Sequence, residues 1–321
     1  MNRIIGLATE QQRRQAEKLR RELGLVVMHT LQDPQVAEVM LNPDGRLWVD
    51  VLGKGLRDTG ETLAPAQAEN LLGTVAALLG TVITAERPLL EGELPLDGSR
   101  FQGVLPPVAA QPVFAIRKKA VQVFTLDDYV AQGLLTETHA RAVRTAVAQR
   151  RNLLVVGGTS SGKTTLANAI LAVIAEQAGE RERLVILEDT VELQCTAPNT
   201  VALRTTETID LTRLLRATLR LRPDRIVVGE VRGPEALALL KAWNTGHSGG
   251  LATVHANHAE AGLLRLEQLI QEAGVSPQPA LIAEAVHLLV AVVKEGGRRW
   301  VKEVLEVQGW GPPDGYRLQP L

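Results

Sequence analysis

The residues best suited to chemistry are Gly157, Gly158, Thr159, Ser160, Ser161, Gly162, Lys163 and Thr164, which complete the spacing G-x-x-x-x-G-K-[ST] directly after the apolar run Leu153 to Val156. That spacing, between a strand-like run and a helical one (Leu166, Ile170, Leu171, Ile174), is the pattern of a phosphate-binding loop. Its glycines let successive backbone N–H groups turn toward one anion, and the positive end of the following helix adds to their field. On this reading Lys163 sits on the β- and γ-phosphates, the Thr164 hydroxyl ligates Mg²⁺, and Thr165 closes the cradle.

Further reactive groups fall at the ends of other apolar runs, where parallel sheets place their ligands. The run Ile226 to Val228 ends in Gly229-Glu230, so Glu230 is expected to polarise an attacking water or to hold Mg²⁺ through water. Leu184 to Leu187 ends in Glu188-Asp189 with Glu192 beyond, a second acidic strand end fit for metal or water. Leu251 to Val254 ends at His255, a group able to donate to a γ-phosphate. Gly246, Gly249 and Gly250 before that run permit a close backbone turn, and for His247 a functional and a structural role stay equally open.

To position these groups the chain needs a mainly parallel sheet covered on both faces, and the alternation of short apolar runs with helical segments after residue 136 supplies one. Asp210 is expected to cap the helix carrying Leu211, Leu214, Leu215 and Leu219, with Pro234 in the first turn of the next. Glu295-Gly296-Gly297 reads as a hairpin turn that adds antiparallel strands at the C-terminus. Upstream, a charged helix from Glu10 to Glu22, a strand over Leu47 to Leu52, a helix through Leu71 and β-like pieces at Phe101 to Leu105 and Val113 to Ile116 read as a small α+β domain. The expected division is therefore 1–122 for that domain, 123–135 for a linker running into a short helix, and 136–321 for the α/β core.

The 321 residues exceed what one core usually fills, which agrees with two domains. A formal net charge of −1 gives no global field toward nucleic acid, so no sequence-specific nucleic-acid binding is expected. The apolar stretch Asn70 to Ala85 is short of a membrane span and keeps helical spacing, and a cytoplasmic location is expected. The lone Cys195 rules out an internal disulfide and a multi-cysteine metal site.

Four segments together resemble one family. Gly157 to Thr165, Leu187 to Leu193, Leu219 to Gly233, and Gly246 to Gly249 with Thr253 to Asn257 are similar to the Walker A, Asp, Walker B and His boxes of the secretion traffic ATPases, in that family's order. Leu96 to Phe101 and Phe114 to Lys118 resemble its N-terminal domain, and the absence of a four-cysteine module points to the type IV secretion and conjugal-transfer branch. The resemblance implies a RecA-like phosphate-loop ATPase core, ATP and Mg²⁺ as cofactors, and a homohexamer at the inner membrane acting with components of a secretion or conjugation channel. It also implies that the nucleotide lies between the two domains and that Arg100 and Arg117, solvated arginines on charge alone, act on its phosphates. In this sequence Gly229 stands where many phosphate-loop ATPases carry Asp, which leaves direct Mg²⁺ ligation to Thr164 and water and the division of duties between Glu188 and Glu230 open.

A motor for pilus extension or retraction shares all four segments and is the near alternative. A GTPase is disfavoured because no Asn-Lys dipeptide is present and the only D-x-x-G, Asp50 to Gly53, precedes the phosphate loop. A DNA helicase gains nothing from a near-neutral chain, and a non-hydrolysing scaffold would leave the strand-end acids idle. Arg213, Arg216 and Arg220 share a helical face, for a ring interface, a pore or solvent.

Overall fold

A computed structural model describes residues 10–51, 54–118, 123–206, 208–296 and 298–321. The chain forms two compact units, Met1–Val121 and Gln122–Leu321.

The first unit holds α1 (Glu10–Gln32), α2 (Pro65–Leu78) and six strands, β1 (Val36–Leu41), β2 (Arg46–Val51), β3 (Gly55–Thr62), β4 (Leu89–Glu93), β5 (Arg100–Val104) and β6 (Val113–Arg117), and the strands make an antiparallel sheet ordered β3-β2-β1-β6-β5-β4. The charged helix runs on past Glu22: Gly24 leaves helical geometry at φ 72° and the chain resumes its helix to Gln32. The continuation exists because Val27 and Leu31 join Leu19 and Leu23 against the sheet, an apolar stripe invisible in the first turns alone. One strand face (Val39, Val49, Phe101, Phe114, Ile116) packs with Leu71, Leu72 and Val75 of α2. Along the other face cross-strand pairing sets Glu93, Arg100, Arg117, Glu38 and Asp50 in a row over five strands. Facing arginines repel, and the acidic neighbours on both sides offset this, with Arg117 Nε 3.5 Å from Glu38 Oε1.

The second unit contains α3 (Leu126–Ala131), α4 (Glu137–Ala148), β7 (Leu153–Gly157), α5 (Lys163–Ala178), β8 (Leu184–Glu188), β9 (Thr200–Arg204), α6 (Leu211–Thr218), β10 (Arg225–Val231), α7 (Glu235–Asn244), β11 (Leu251–His255), α8 (Ala259–Gln271), α9 (Pro279–Ala285), β12 (Leu288–Glu295), β13 (Arg298–Gly311) and β14 (Gly315–Pro320). Its sheet is ordered β14-β13-β12-β7-β11-β10-β8-β9, parallel from β12 to β9 and closed by the antiparallel β13 and β14. This is a RecA-like α/β core with a mainly parallel sheet, the fold class expected.

Alternate residues of each central strand serve opposite cores. Leu154, Val156, Leu187, Ile226, Val228 and Val254 pack on the side of α6 to α9, and Leu153, Val155, Ile186, Val227 and Leu251 on the side of α3 to α5. Burial on both faces is why these runs are continuously apolar. The stretch expected as a linker contributes to this packing, since Leu126, Tyr129 and Leu135 belong to the second core. The hairpin of β12 and β13 forms as expected, with Gly297 outside the described residues, and Asp210 caps α6 by accepting from Arg213 N at 2.8 Å.

Where β7 and β11 enter the sheet, the buried Asn152 ties three segments together. Its Oδ1 accepts from Gly249 N (2.7 Å) and Gly250 N (2.9 Å), its Nδ2 donates to Ala285 O (2.7 Å), and its own N–H donates to His287 Nδ1 (3.0 Å). Burial, with the Arg151 charge beside it, lowers the His287 pKa, which keeps Nδ1 available as an acceptor. Asn152→Ala would strand two N–H groups and a carbonyl in a dry interior. The expected cost is about 3 kcal/mol, a drop in Tm on the order of 10 °C by calorimetry; a loss below about 1 kcal/mol would show that the clamp is dispensable.

Candidate active site

All four strand-end groups foreseen in the sequence lie at the carboxyl edge of β7, β11, β10 and β8, which are neighbours in the sheet. The loop Gly157 to Gly162 leaves β7 and enters α5 through Gly162, whose φ of 98° is a left-handed backbone that only glycine adopts at low cost. Ser161 Oγ is buried and has no hydrogen-bond partner among the described residues, and it lies against Gly157, 2.5 Å from where a Cβ would stand. Arg299 of β13 steadies the loop from outside by donating from Nε to Ser160 O at 3.1 Å. A buried orphan hydroxyl, a helix N-terminus and a buried lysine suit an oxyanion such as a nucleotide phosphate.

Lys163 is 7% exposed and donates from Nζ to the carbonyls of Gly157 and Gly158, both at 3.0 Å. Its third neighbour is His255 Nδ1 at 3.0 Å. Nζ is also 3.4 Å from Nε2, so the ammonium sits beside the ring with both nitrogens in reach, Nε2 being the farther. That nitrogen faces Glu230 Oε1 at 2.6 Å, and the same oxygen lies 3.9 Å from Lys163 Nζ. Lys163, Glu230 and His255, from three different strand ends, thus meet at one point.

Glu230 owes its aim to a bulge. Val228 pairs with Ala252 but Val231 pairs with Val254, so β10 carries one residue more than β11 across Gly229 and Glu230. The Gly229 carbonyl freed by this irregularity accepts from Thr253 Oγ1 at 2.7 Å. Arg232 then grips Glu230 Oε2 through Nε at 2.7 Å and through Nη2, with Asp189 3.7 Å from its Nη1. Burial alone would lower the Arg232 pKa, but the carboxylates of Glu230, Asp189 and Glu192 outweigh it and raise the value. The turn after β10 is set by Glu235, whose Oε1 accepts from Arg232 N (2.7 Å) and Gly233 N (2.9 Å).

Glu188, almost fully buried, accepts through Oε1 from Glu192 N (2.8 Å) and Leu193 N (2.9 Å) and so folds the loop after β8 back on itself. The same loop is pinned by Asn168 of α5, which donates to Glu192 O at 3.1 Å and accepts from Gln194 N at 2.7 Å. Thr164 Oγ1 donates to Glu192 Oε2 at 3.0 Å. Among the described residues no group of three His, Cys, Asp or Glu could cage a metal. The donors present, a threonine hydroxyl with carboxylates nearby, suit Mg²⁺, which keeps water and substrate oxygens as most of its ligands.

Arg100 and Arg117 belong to the first unit, where they are direct cross-strand partners of β5 and β6. His247 lies at the opposite end of β11 from His255, its Nδ1 2.9 Å from Pro223 O, a structural place. Cys195 is partly buried with Sγ 3.4 Å from Thr200 Oγ1. Arg232, Thr253 and Asn168 were not singled out in the sequence. Asn168 alone carried a signal, as a polar residue inside the otherwise apolar face of α5.

The family model for Type II/IV secretion system proteins matches residues 61–295. A probable conjugal transfer protein TrbB of Sinorhizobium fredii is 50% identical over 295 residues, 92% of this chain and 90% of its own. Among solved structures, the Legionella pneumophila ATPase DotB superposes with a TM-score of 0.60 at 19% identity over 95% of this chain and 83% of its own. The pilus retraction motor PilT, solved with ADP, gives 0.59 at 18% over 92% and 81%. These two likenesses speak for the fold. The family match across the phosphate loop and every strand end described above, together with the conjugal-transfer relative, decides the lineage: this chain belongs to the Type II/IV secretion system proteins, in the type IV secretion and conjugal-transfer branch of the traffic ATPases.

Proposed function

We propose that this protein hydrolyses ATP with Mg²⁺ and, as a homohexamer, powers a type IV secretion or conjugative DNA-transfer apparatus. The observation that carries the hydrolytic reading is the meeting of Lys163, His255 and Glu230 at the mouth of the phosphate loop. The cradle Gly157 to Thr165 would hold ATP, and Thr164 with Glu230 acting through water would hold Mg²⁺, which would supply counter-charge to the phosphates. Lys163 offsets charge on the β- and γ-oxygens, and His255 beside it would donate a ring proton to a γ-phosphate oxygen. Glu230 takes a proton from the attacking water through Oε1, because Arg232 already occupies Oε2. Glu188 is a shaping group on this reading, since its Oε1 holds two backbone amides of the next loop. Arg100 and Arg117, cross-strand partners in β5 and β6, would lend positive charge to the phosphates, a role that rests on the family resemblance.

Half-identity to a conjugal transfer protein favours conjugation over a pilus motor, whose likeness is one of fold alone. Among the described residues no helix is long and apolar enough to cross a membrane, which suits a ring attached at the cytoplasmic face of the inner membrane through channel components. No base-reading surface is invoked.

Lys163→Ala is expected to abolish ATP binding in a fluorescent-nucleotide titration. In the native cell it should eliminate DNA transfer while leaving pilus-driven motility intact; the reverse pattern would assign the pilus role. Glu230→Gln should retain ATP binding and lower kcat about 10²- to 10³-fold, the usual worth of a general base, and brisk turnover in that variant would remove Glu230 from this role. Arg100→Ala and Arg117→Ala should each lower kcat about tenfold or more with unchanged Tm. Wild-type rates in both would exclude the first unit from the chemistry. Sizing with ATP and Mg²⁺ should give hexamers, and a strict monomer under all conditions would support a scaffold instead.

A further inference from the structure

We infer that Arg299, on the overhanging end of the hairpin of β12 and β13, is a positioning residue of the phosphate site. It holds the peptide between Ser160 and Ser161 with its carbonyl outward, so the loop is set to receive phosphate before any arrives. The inference rests on the reading of Gly157 to Thr165 as an ATP site. The hairpin reaches the loop because β12 outruns its neighbour. Pairing of β12 with β7 ends at Ala291 and Val156, and β7 turns into the loop at Gly157, but β12 continues to Glu295 and pairs with β13 through Val292 with Val301 and Lys294 with Arg299. This extension stands beyond the rest of the sheet, beside the loop. At its root a Cβ built on Gly157 would lie 2.6 Å from Val292 O, so the β12 backbone abuts the first loop residue. Farther out Arg299 Nε donates to Ser160 O at 3.1 Å, and Arg299 Cδ lies 3.4 Å from where a Cβ on Gly162 would stand.

What this contact does follows from the backbone it meets. Ser160 has φ 56°, a left-handed conformation that is unfavourable for a residue with a Cβ and persists only where the surroundings hold it. In a trans peptide the carbonyl and the next N–H point opposite ways. With Ser160 O drawn outward to the guanidinium, the Ser161 N–H faces the inside of the loop, where its contact is Gly158 O at 3.3 Å, long enough for an anion to displace. Were that peptide to turn over, a carbonyl dipole would meet the phosphates in place of an amide. Lys163 holds the Gly157 and Gly158 carbonyls, and Arg299 holds the Ser160 carbonyl from the hairpin side. The hairpin is rigid enough for this because it is anchored elsewhere as well. Arg298 Nη2 donates to Gly133 O at 2.8 Å and Val301 N to Leu134 O at 2.7 Å, both on the connection between α3 and α4. Arg298 and Arg299, adjacent on one strand, project to opposite faces, one to that connection and one to the loop.

The test uses Arg299→Met in the full chain, which keeps an unbranched stem against Gly162 and removes the donor. Without nucleotide, hydrogen exchange of the amides of residues 158–164 should quicken about tenfold or more, because the loop loses its brace. A fluorescent, non-hydrolysable ATP analogue should bind about 10- to 100-fold more weakly, the usual effect of losing a hydrogen bond from a charged group that keeps the binding-competent state populated. KM should rise by a similar factor with kcat within about threefold of wild type, since the brace serves ground state and transition state alike. Ser160→Gly added to Arg299→Met should recover at least about threefold of the lost affinity, because glycine takes the left-handed backbone unaided. Wild-type analogue affinity in Arg299→Met would overturn the inference, as would a loss confined to kcat or a double variant that recovers nothing. A fall in Tm of more than about 5 °C in Arg299→Met would also overturn it, by making Arg299 a residue of folding instead of loop geometry. Failure of the wild-type chain to bind the analogue under any condition would instead overturn the ATPase reading beneath it.

Discussion

Burial of the central strands on both faces is the constraint from which the site follows. A strand packed between two helical layers has no wall against which a charge can stay hydrated, and an unpaired ion there costs several kcal/mol. Leu153 to Val156, Leu184 to Leu187 and Ile226 to Val228 are accordingly apolar without interruption, and in Leu251 to Val254 the one polar residue, Thr253, has its hydroxyl bonded to Gly229 O. Polar chemistry is expelled to the strand ends, and the parallel direction of β7, β11, β10 and β8 puts the ends that carry Gly157, His255, Glu230 and Glu188 on one edge. The convergence of loop, acids and histidine is therefore a product of topology before it is a product of any particular pairing.

Within that edge, backbone irregularities do the fine placement. The extra residue of β10 turns Glu230 toward Lys163, and Thr253 satisfies the carbonyl that the bulge releases. Arg232 then fixes which oxygen of Glu230 faces the loop. The protein thus combines a rigid apolar sheet with a few local departures from regular pairing, each matched by a side chain that completes its hydrogen bonds.

Much of this was legible in the sequence. The loop spacing, the acidic or basic residue after each apolar run, the Asp210 cap and the terminal hairpin are local signals, and local signals survive without tertiary knowledge. What was not legible depends on distant partners. Nothing near Glu192 announces that Thr164 is its hydrogen-bond donor, and nothing near Val228 announces a bulge, which exists only relative to β11. The edge strand β9 escaped because only part of it is covered, so it lacks the apolar run that marked its neighbours. The second half of α1 escaped because Gly24 breaks its periodicity, and the short helix expected in the linker shows itself as α3, whose packing into the core six residues are too few to announce. Arg100 and Arg117 could be tied to phosphates only by family resemblance, since charge on an open strand face has many uses.

Strand β11 is fastened at its entrance and loaded at its exit. Gly249 and Gly250 hang on the Asn152 amide, while His255, about 16 Å along a five-residue strand, touches Lys163 and Glu230. An extended chain hydrogen-bonded on both sides is stiff along its length. The length of that strand, set by sheet pairing on both sides, therefore fixes the distance between the glycine turn and the imidazole.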